Sequence, residues 1–485
     1  MSIDTLQHLS MELIVTLAAI VMLGLEASGA VKDRRQLAWF GVAACVVAGL
    51  TGLRNLQTPP GALFGGSYVI DSASVYFKEL MLTITVLALL ISTSYVEAEI
   101  PRSGEYYTLF MFVCLGMLCL ASANDLITLF IAIEMTSMPM YVLAASLKHD
   151  KKSSEAGLKF FILGALASAF YLFGASFTMG SLGTLYINEF PARLLALSAP
   201  PQALYVGLLC LIGAFAFKIA AAPFHMWAPD VYQGAPTPTT AFLSTGPKVA
   251  GMAALMRLLL TGFDVVRPDM LVKNDWMLIL SVFSLLSMTV GNLVAMHQTN
   301  IKRMLAFSGI AHMGYMLLGV AAASVKGASG VMFYLWLYTL ASLGSWAVVI
   351  VFAVATKSEE IKDMAGLSRR SPWMAFVVML SFLSLSGLPP LSGFVGKFYI
   401  FTAAWSSGLS WLVLAAIVNS VASLFYYMGV LKVMYWQAPT HDEPLAVPFG
   451  SQIAMAVSVF AATVLGLFPP MSQWALTVAR SFFPG

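Results

Sequence analysis

This sequence of 485 residues has few charged side chains and few cysteines. Only 10% of the residues are charged, whereas an ordinary soluble domain has about 25%, so a large water-soluble domain is excluded. The four cysteines lie within long apolar stretches and form neither a C-x-x-C motif nor a Cys/His ligand set; they are Cys45, Cys114, Cys119 and Cys210. They are predicted to pack as small apolar residues, and they suggest no disulfide framework, iron–sulfur site or zinc site.

Sequence motifs for nucleotides, haem and nucleic acids are also missing. The chain has no P-loop, no G-x-G-x-x-G between a strand and a helix, and no haem or metal ligand set. It has no basic stripe with interleaved aromatic residues, which argues against nucleic-acid binding. The first ten residues contain no lysine or arginine, so the first apolar run is predicted to be a retained span rather than a secretory signal. Any work done by this chain must draw its energy from a gradient or from a partner protein.

Long apolar runs make up most of the chain. A helix needs roughly 20 apolar residues to cross a bilayer, and such runs recur from one end of the sequence to the other. The runs are 11–30, 36–54, 73–96, 105–123, 125–147, 156–184, 202–233 with a break, 237–262, 276–297, 301–323, 327–356, 373–407 with a break, 409–436 and 450–470. They predict an all-α polytopic membrane protein with about 14 transmembrane helices in a lipid bilayer.

Lysine and arginine are distributed unevenly between the predicted loops. If the N-terminus lies outside the cytoplasm, the inward-facing loops carry twice as many of these residues as the outward-facing loops. Cytoplasmic loops are the ones enriched in lysine and arginine. The distribution therefore predicts that both termini lie on the outer side of the membrane.

Two of the predicted spans, helices 7 and 12, are interrupted by proline. Helix 7 reads AFKIAAAPFHMWAPDVYQGAPTPTT, and helix 12 reads LSLSGLPPLSGFVGKFYIF. Proline removes an amide donor and disrupts the preceding turn, and the freed carbonyls survive in a membrane only where protein or water satisfies them. Paired breaks at corresponding places in two halves indicate an internal repeat with ion sites at the broken helices.

The sequence predicts that the repeat consists of two five-helix units, helices 4–8 and helices 9–13. Weak similarity supports it, because Gly157-Leu-Lys-Phe-Phe opens helix 6 and Gly330-Val-Met-Phe-Tyr opens helix 11. Since five is odd, successive units enter the membrane from opposite sides and are inverted repeats. The predicted segments are 1–104 with helices 1–3, 105–263 with the first repeat, 264–436 with the second repeat, and 437–485 with helix 14.

Seven ionisable side chains lie within apolar stretches, where charge is costly and marks ion or proton routes. They are Glu134, Lys159, Lys218, His225, Lys248, His312 and Lys397. Glu134 and Lys218 are predicted to form a pair whose protonation can be switched, and a fixed ion pair that locks helix packing is the alternative. His225 follows Lys218 by seven residues, which predicts nearly the same helix face; it either relays protons or caps the broken backbone.

The other candidates carry their own alternatives. Lys248 lies too deep in helix 8 to reach the interface easily, and Lys397 follows the second break, so both are predicted to relay protons. His312 has Ser308 one turn before it and Tyr315 one turn after it, although a lone helix histidine is usually structural. Lys159 either takes part or extends to the nearby interface. The remaining charged residues in the spans are predicted to have structural roles: Lys78 and Glu79 as a pair reaching the outer interface, and Asp230 ordering the first break.

Three sequence runs are familiar. FHMWAPDVYQGAPTPTT, NIKRMLAFSGIAHMGYM and GLPPLSGFVGKF resemble the antiporter-like membrane subunits of respiratory complex I and of Mrp-type sodium/proton antiporters, and the resemblance covers residues 105–436. The segment DMAGLSRRSPWMAF, which leads into the third run, is most similar to the complex I branch. A chain of fourteen helices without a long C-terminal lateral extension favours one of the shorter subunits of that branch.

The resemblance implies a role for each matched position. It implies the helix-5 glutamate at Glu134, its helix-7 partner at Lys218, a modulating lysine at Lys159, the central helix-8 lysine at Lys248 and the exit-channel lysine at Lys397. It also implies a bacterial inner-membrane complex with a neighbouring antiporter-like subunit and other membrane-arm subunits. NADH, FMN, iron–sulfur clusters and quinone would be bound by partner subunits, and this chain would hold no cofactor.

Three functions follow from these observations. The first is proton translocation coupled to quinone reduction in other subunits of an NADH:quinone oxidoreductase. The second is cation/proton exchange as an Mrp-type antiporter subunit, and it predicts exchange by the purified single chain. The third is a structural membrane anchor, and it predicts that the intramembrane lysines tolerate methionine with no change in proton stoichiometry.

Overall fold

The computed structural model describes residues 3–31, 33–55, 60–100, 104–265, 272–439 and 443–483. Most of these residues are helical, which confirms the predicted all-α class. One short antiparallel hairpin interrupts the helices and consists of β1 (Gly61–Leu63) and β2 (Tyr68–Ile70). The helices are α1 (Ile3–His8), α2 (Ser10–Ala27), α3 (Arg35–Asn55), α4 (Ser72–Glu99), α5 (Gly104–Ser122), α6 (Leu126–Ala144), α7 (Lys151–Leu182), α8 (Phe190–Ala196), α9 (Gln202–Lys218), α10 (Trp227–Gly234), α11 (Thr237–Met256), α12 (Val272–Ala295), α13 (Ile301–Ala321), α14 (Val325–Thr356), α15 (Leu367–Arg370), α16 (Pro372–Ser386), α17 (Ser392–Ser406), α18 (Ser410–Trp436), α19 (Phe449–Thr463) and α20 (Pro469–Ala479).

The helices account for the predicted membrane crossings. Within the described residues, eleven helices are long and apolar enough to span a membrane. Helices α9 and α16 are shorter apolar helices, and each is continued after a break by α10 or α17, while α11 is long enough but richer in polar residues. The structure adds a short α1 before the first span. It also has two helices, α19 and α20, where the sequence analysis predicted one after residue 437.

The second helices of the two predicted repeats, α6 and α13, have N-terminal ends that are capped in the same way. Asp125 precedes α6, and its side chain accepts hydrogen bonds from the amides of Ile127 and Thr128. Asn300 precedes α13 and accepts from two first-turn amides in the same way. Such caps satisfy amide donors that have no partner inside the helix. The two helices therefore begin at equivalent points of the two repeats.

Short backbone bridges repeat as well. Asp125 pairs with Tyr186 in an isolated antiparallel bridge, and Asn300 pairs with Glu360 in another. A hydroxyl lies next to each bridge: Thr184 donates to Glu189, and Ser358 donates to Asp363. The chain crosses the membrane five times between the two bridges, so they lie at opposite membrane faces. These features support two inverted five-helix units, while the exact segment boundaries stay a prediction.

Both proline-rich breaks are present. Helix α9 ends at Lys218, and α10 begins only at Trp227. Helix α16 ends at Ser386, where Gly387 takes a left-handed conformation with φ of 85°, and α17 begins at Ser392. A glycine suits this position because it has no Cβ to clash. The breaks separate each broken span into two half-helices. Amides in each break bond back to carbonyls of the first half-helix, as Ala221 does to Ala216 and Leu388 does to Leu383.

The centre of the molecule is formed by α4, α13 and α14. Every residue of α13 except Arg303 is buried, and α14 packs against helices of both predicted repeats and against α4, α19 and α20. Helices α2 and α3 lie at the periphery and are only one-third buried. Residues that project from α13 and α14 toward each other are therefore shielded from the surrounding lipid.

Candidate functional site

Glu134 and Lys218 lie near each other, but each forms its hydrogen bond with a serine and not with the other. The Glu134 carboxylate accepts a hydrogen bond from Ser168 of α7, and the Lys218 ammonium donates to Ser137, which lies one turn after Glu134 on α6. The charges of Glu134 and Lys218 interact, but no ion pair within 4.0 Å joins them. The predicted switching of the pair stays a prediction, and in this structure Ser137 is the hydrogen-bond partner of Lys218.

Lys218 is the last residue of α9, and this position favours its charge. The carbonyls at the C-terminal end of a helix carry a partial negative charge, so the ammonium is stabilised without a contacting carboxylate. A cavity of about 10 Å³ lies beside it, with Thr136, Ser137 and Pro247 in its wall. That volume is close to the smallest that holds one water molecule, and Pro247 directly precedes Lys248.

His225 does not share a helix face with Lys218. The spacing of seven residues would align them only in a continuous helix, and α9 ends at Lys218 before the non-helical stretch 219–226. The predicted common face is therefore wrong. His225 is partly exposed next to the exposed Met226, and its buried Nδ1 has no hydrogen-bond partner within the described part of the chain.

Lys159 lies at the cytoplasmic end of the bundle as the predicted topology defines it. Its ammonium is 2.6 Å from a Glu155 oxygen and 3.0 Å from Asp230 Oδ2. Asp230 also binds Arg303 of α13 at 2.7 Å, so this carboxylate links the two predicted repeats. An open polar depression of about 180 Å³ is lined by Lys159, Glu155 and Asp230, together with Lys152. Asp230 thus bridges helices as well as following the break.

Lys248 is buried without a hydrogen-bonding partner. Its side chain is 1% exposed, and no described atom forms a hydrogen bond with its Nζ. The Nζ lies 5.5 Å from the centre of the Tyr232 ring, within range of a cation–π interaction. It also approaches Gly309 of α13 so closely that a Cβ there would be 2.8 Å away. A glycine at 309 therefore gives this lysine room beside α13.

His312 lies one turn beyond Gly309 on α13 and is surrounded by tyrosines. Its Nδ1 is 2.8 Å from the Tyr334 hydroxyl, and its Nε2 is 3.1 Å from the Tyr427 hydroxyl. Tyr427 is in turn 2.5 Å from Ser308 Oγ. Electrostatic interactions connect His312 with both Lys248 and Lys397. The histidine therefore lies between two buried lysines and has a polar contact at each ring nitrogen.

Lys397 reaches back across the second break. Its ammonium donates to the Ser386 carbonyl at 3.0 Å and to Ser420 Oγ at 2.9 Å, and it lies 4.6 Å above the centre of the Tyr315 ring. Ser386 is the last residue of α16, so Lys397 occupies the C-terminal end of a half-helix, as Lys218 does. A largely apolar groove of about 450 Å³ between α17 and α18 reaches this lysine from the surface.

The sequence analysis missed two groups of buried polar residues. Lys78 is 1% exposed and forms an ion pair of 2.6 Å with Glu12, which also accepts a hydrogen bond from Tyr68. The prediction that Lys78 reaches the interface is therefore wrong. The signal for this pair was an acid and a base near the same end of two apolar helices. The tyrosines Tyr334 and Tyr427 gave no signal, because tyrosine also packs in apolar cores.

Comparison with known proteins extends this description. The family model described as "NADH:quinone oxidoreductase/Mrp antiporter, TM" matches residues 123–423. A subunit N of NADH-quinone oxidoreductase from Moorella thermoacetica is 42% identical over 474 residues, which cover 96% of this chain and 97% of that protein. Another from Heliobacterium modesticaldum is 39% identical over 478 residues, covering 96% of this chain and 98% of that protein.

Solved structures share the fold. A chain of respiratory complex I from Thermus thermophilus with bound aureothin aligns with a TM-score of 0.76 and 30% identity, covering 95% of this chain and 97% of that chain. A chain of the Mrp complex from Dietzia sp. aligns with a TM-score of 0.85 and 20% identity, covering 99% and 98%. This chain thus has the fold of the antiporter-like membrane subunits. Within that class, it belongs to the NADH-quinone oxidoreductase subunit N family.

Proposed function

We propose that this chain is a proton-translocating membrane-arm subunit of an NADH:quinone oxidoreductase. It resides in the bacterial inner membrane with both termini on the periplasmic side, beside a neighbouring antiporter-like subunit. NADH, FMN, the iron–sulfur clusters and quinone belong to partner subunits, and the chain itself relays protons. Family membership supports the assembly, and the lysine environments support the relay.

The observation that carries the relay is the state of the buried lysines. Lys218, Lys248 and Lys397 are contacted by hydroxyls, carbonyls and aromatic rings, and none of the three forms an ion pair with a carboxylate among the described residues. A buried ammonium without an opposite charge in contact is held less firmly in its charged form. Such lysines can gain and lose a proton when a nearby charge moves.

The proposed route begins at the cytoplasmic depression around Lys159 and Asp230. The proton reaches Lys218, passes the small cavity toward Lys248, continues by His312 and leaves through Lys397. Glu134 controls the first step, because bringing a carboxylate closer to Lys218 favours its charged form and moving it away favours proton loss. Glu134 lies beside exposed apolar residues of α6, Ile131 and Met138, where a neighbouring subunit can cover it. His225 lies within the first break, and it is a weaker candidate for the relay than the three buried lysines.

The test uses the assembled complex in sealed membrane vesicles. We expect Lys218→Ala and Glu134→Ala to lower the number of protons moved per NADH oxidised, while the subunit still assembles. Lys326→Ala is the matched control, because Lys326 is an exposed lysine in the first turn of α14. Full proton yield from both Lys218→Ala and Glu134→Ala would disprove the proposal.

The same vesicles separate this function from its rivals. An Mrp-type antiporter would exchange sodium for protons as a purified single chain, without NADH or partner subunits. A purely structural anchor would keep a normal proton yield when the lysines are replaced by methionine. The fold alone is shared with the Mrp complex, so this measurement, rather than the architecture, discriminates them.

A further inference from the structure

The tyrosine hydroxyls around His312 have unequal surroundings. Tyr334, from α14, contacts Nδ1, and its hydroxyl has no second hydrogen bond among the described residues. Tyr427, from α18, contacts Nε2 and also Ser308 Oγ, which lies one turn before the histidine on α13. Only the Nε2 side therefore has a second hydroxyl to which the tyrosine can turn.

The protonation of the imidazole ring dictates what these hydroxyls must do. A neutral imidazole has one N–H donor and one bare acceptor nitrogen, whereas the protonated ring donates from both. When Nε2 is bare, the Tyr427 hydroxyl donates to it. When a proton arrives and an Nε2–H bond forms, that hydroxyl must accept instead and must donate its own proton elsewhere. Ser308 Oγ at 2.5 Å is the available acceptor.

The rings themselves are held in place. Tyr427 packs against Tyr426 with ring centres 4.4 Å apart and against Phe382 with centres 4.8 Å apart. Both Tyr427 and His312 are buried, at 0% and 1% exposure. The change between the two arrangements therefore needs only rotation of two O–H bonds. Tyr427 keeps its proton throughout, because a phenolate left in an apolar core without a paired cation would be costly.

We propose that Tyr427 and Ser308 form a two-position hydroxyl switch that lets His312 accept and release a proton at Nε2. In one position Tyr427 donates to His312 and accepts from Ser308. In the other, His312 donates to Tyr427, and Tyr427 donates to Ser308. Tyr427 and Ser308 are positioning residues, while His312 carries the proton between the lysines. This inference rests on the proposed proton relay and adds residues to it.

A purely structural role for the cluster makes a different prediction. If Tyr427 only anchors the His312 ring, then removing the Ser308 hydroxyl leaves that anchor untouched. If the switch operates, removing the same hydroxyl takes away the acceptor at 2.5 Å that Tyr427 uses in its second position. Ser308→Ala is therefore the decisive variant, and Ser308→Thr, which keeps a hydroxyl, is its conservative rescue.

The experiment measures protons moved per NADH, the NADH oxidation rate and thermal unfolding of the assembled complex in each variant. We expect Ser308→Ala and Tyr427→Phe to lower the proton yield at least twofold relative to controls, and Ser308→Thr to recover most of it. Two controls remove a comparable buried hydrogen bond elsewhere: Tyr171→Phe, whose hydroxyl donates to the Leu126 carbonyl at 2.9 Å, and Ser381→Ala, whose hydroxyl is 3.1 Å from Ser458.

The outcomes distinguish failure of the hydroxyl switch from failure of the proposed proton relay on which it rests. Normal proton yield from Ser308→Ala, in a complex where Lys218→Ala abolishes pumping, would overturn the switch and leave the proposed function standing. Normal yield from Lys218→Ala and Glu134→Ala would overturn the function itself. An equal loss in Ser308→Ala and Ser308→Thr, or a loss in Ser308→Ala matched by the Ser381→Ala control, would also overturn the switch.

Discussion

Lys78 and Lys248 are both fully buried in transmembrane helices, yet their surroundings are opposite. Lys78, on α4, contacts the Glu12 carboxylate of α2 at 2.6 Å. Lys248, on α11, has no hydrogen-bond partner among the described residues and lies 5.5 Å from the Tyr232 ring centre. A lysine held by a carboxylate stays charged and fixes helix packing, whereas one without a carboxylate can change its protonation. Under the proposed relay, the lysines that transfer protons are therefore those without a carboxylate in contact.

The comparison predicts that replacing the two lysines changes the free energy of unfolding by different amounts. Removing one member of a buried ion pair leaves an uncompensated charge, which costs about 3–5 kcal/mol. Removing an unpaired buried ammonium eliminates its desolvation cost and leaves no opposite charge uncompensated. Replacing Lys78 should therefore lower the stability of the complex more than replacing Lys248 does. Replacing Lys248 should lower the proton yield more than replacing Lys78 does.

The largest effect on stability is expected for Lys78→Met. Among the described residues, Tyr68 would be the one remaining hydrogen-bond donor to the buried Glu12 carboxylate. The free energy of unfolding should therefore fall by about 3–5 kcal/mol, and by less if Glu12 takes up a proton. The measurement is thermal or denaturant unfolding of the assembled complex. The double variant Glu12→Leu with Lys78→Met should recover most of the loss, because it leaves no lone charge. Wild-type stability in the single variant would contradict a structural ion pair.

An intermediate effect is expected at a second paired site, the start of α4. Asp71 accepts hydrogen bonds from both terminal nitrogens of Arg257, at 2.8 and 2.9 Å, and from the Ser74 amide. Burial by itself raises the pKa of Asp71, but Arg257 and Ser74 outweigh it and hold the pKa below the usual carboxyl value. We expect Asp71→Asn to cost about 1.5–3 kcal/mol at neutral pH.

The pH dependence of that site has a definite sign. Because the folded pKa of Asp71 is lowered, its stabilisation is complete above the unfolded value of about 3.9 and is lost as the pH falls through the lowered folded value. Acidification over that range should therefore narrow the stability difference between the wild type and Asp71→Asn. A constant difference at every pH would show that the charge of Asp71 does not contribute.

The smallest effect on stability is expected for Lys248→Met. The methionine has a similar length and breaks no hydrogen bond of the described structure, so unfolding should occur at or above the wild-type temperature. The proton yield per NADH should nevertheless fall, because the central position of the relay can no longer carry a charge. A Lys248→Met variant that is clearly destabilised but pumps normally would contradict the proposed difference between Lys248 and Lys78.

Much of the fold could be predicted because its signals are local. Apolar runs set the crossings, and the prolines around Pro223 and Pro389 marked the breaks. The errors came where local periodicity stops or where a distant partner decides. His225 was placed on the wrong face because α9 ends at Lys218, and Lys78 was misread because Glu12, on another helix, is what keeps it buried.

The site was predictable to the extent that it consists of charges. Lys218, Lys248, His312 and Lys397 stood out because ionisable residues are rare in apolar helices. Their uncharged partners did not stand out. Tyr427 is 115 residues from His312 in the sequence, and no spacing rule connects two residues on helices so far apart in the chain.

Lys218 and Lys397 illustrate what an inverted duplication keeps. Lys218 is the last residue of the first half-helix of its span. Lys397 projects from the second half-helix, and its ammonium donates to the carbonyl of Ser386, the last residue of the first half-helix. Both lysines are therefore found at the carbonyl end of the first half-helix. An alignment of the two halves by residue would therefore score them as unrelated. A search for internal repeats in other transport proteins should therefore compare which helix terminus each buried cation lies at. A cation can move to a different position in the sequence and still lie at the same end of a helix dipole.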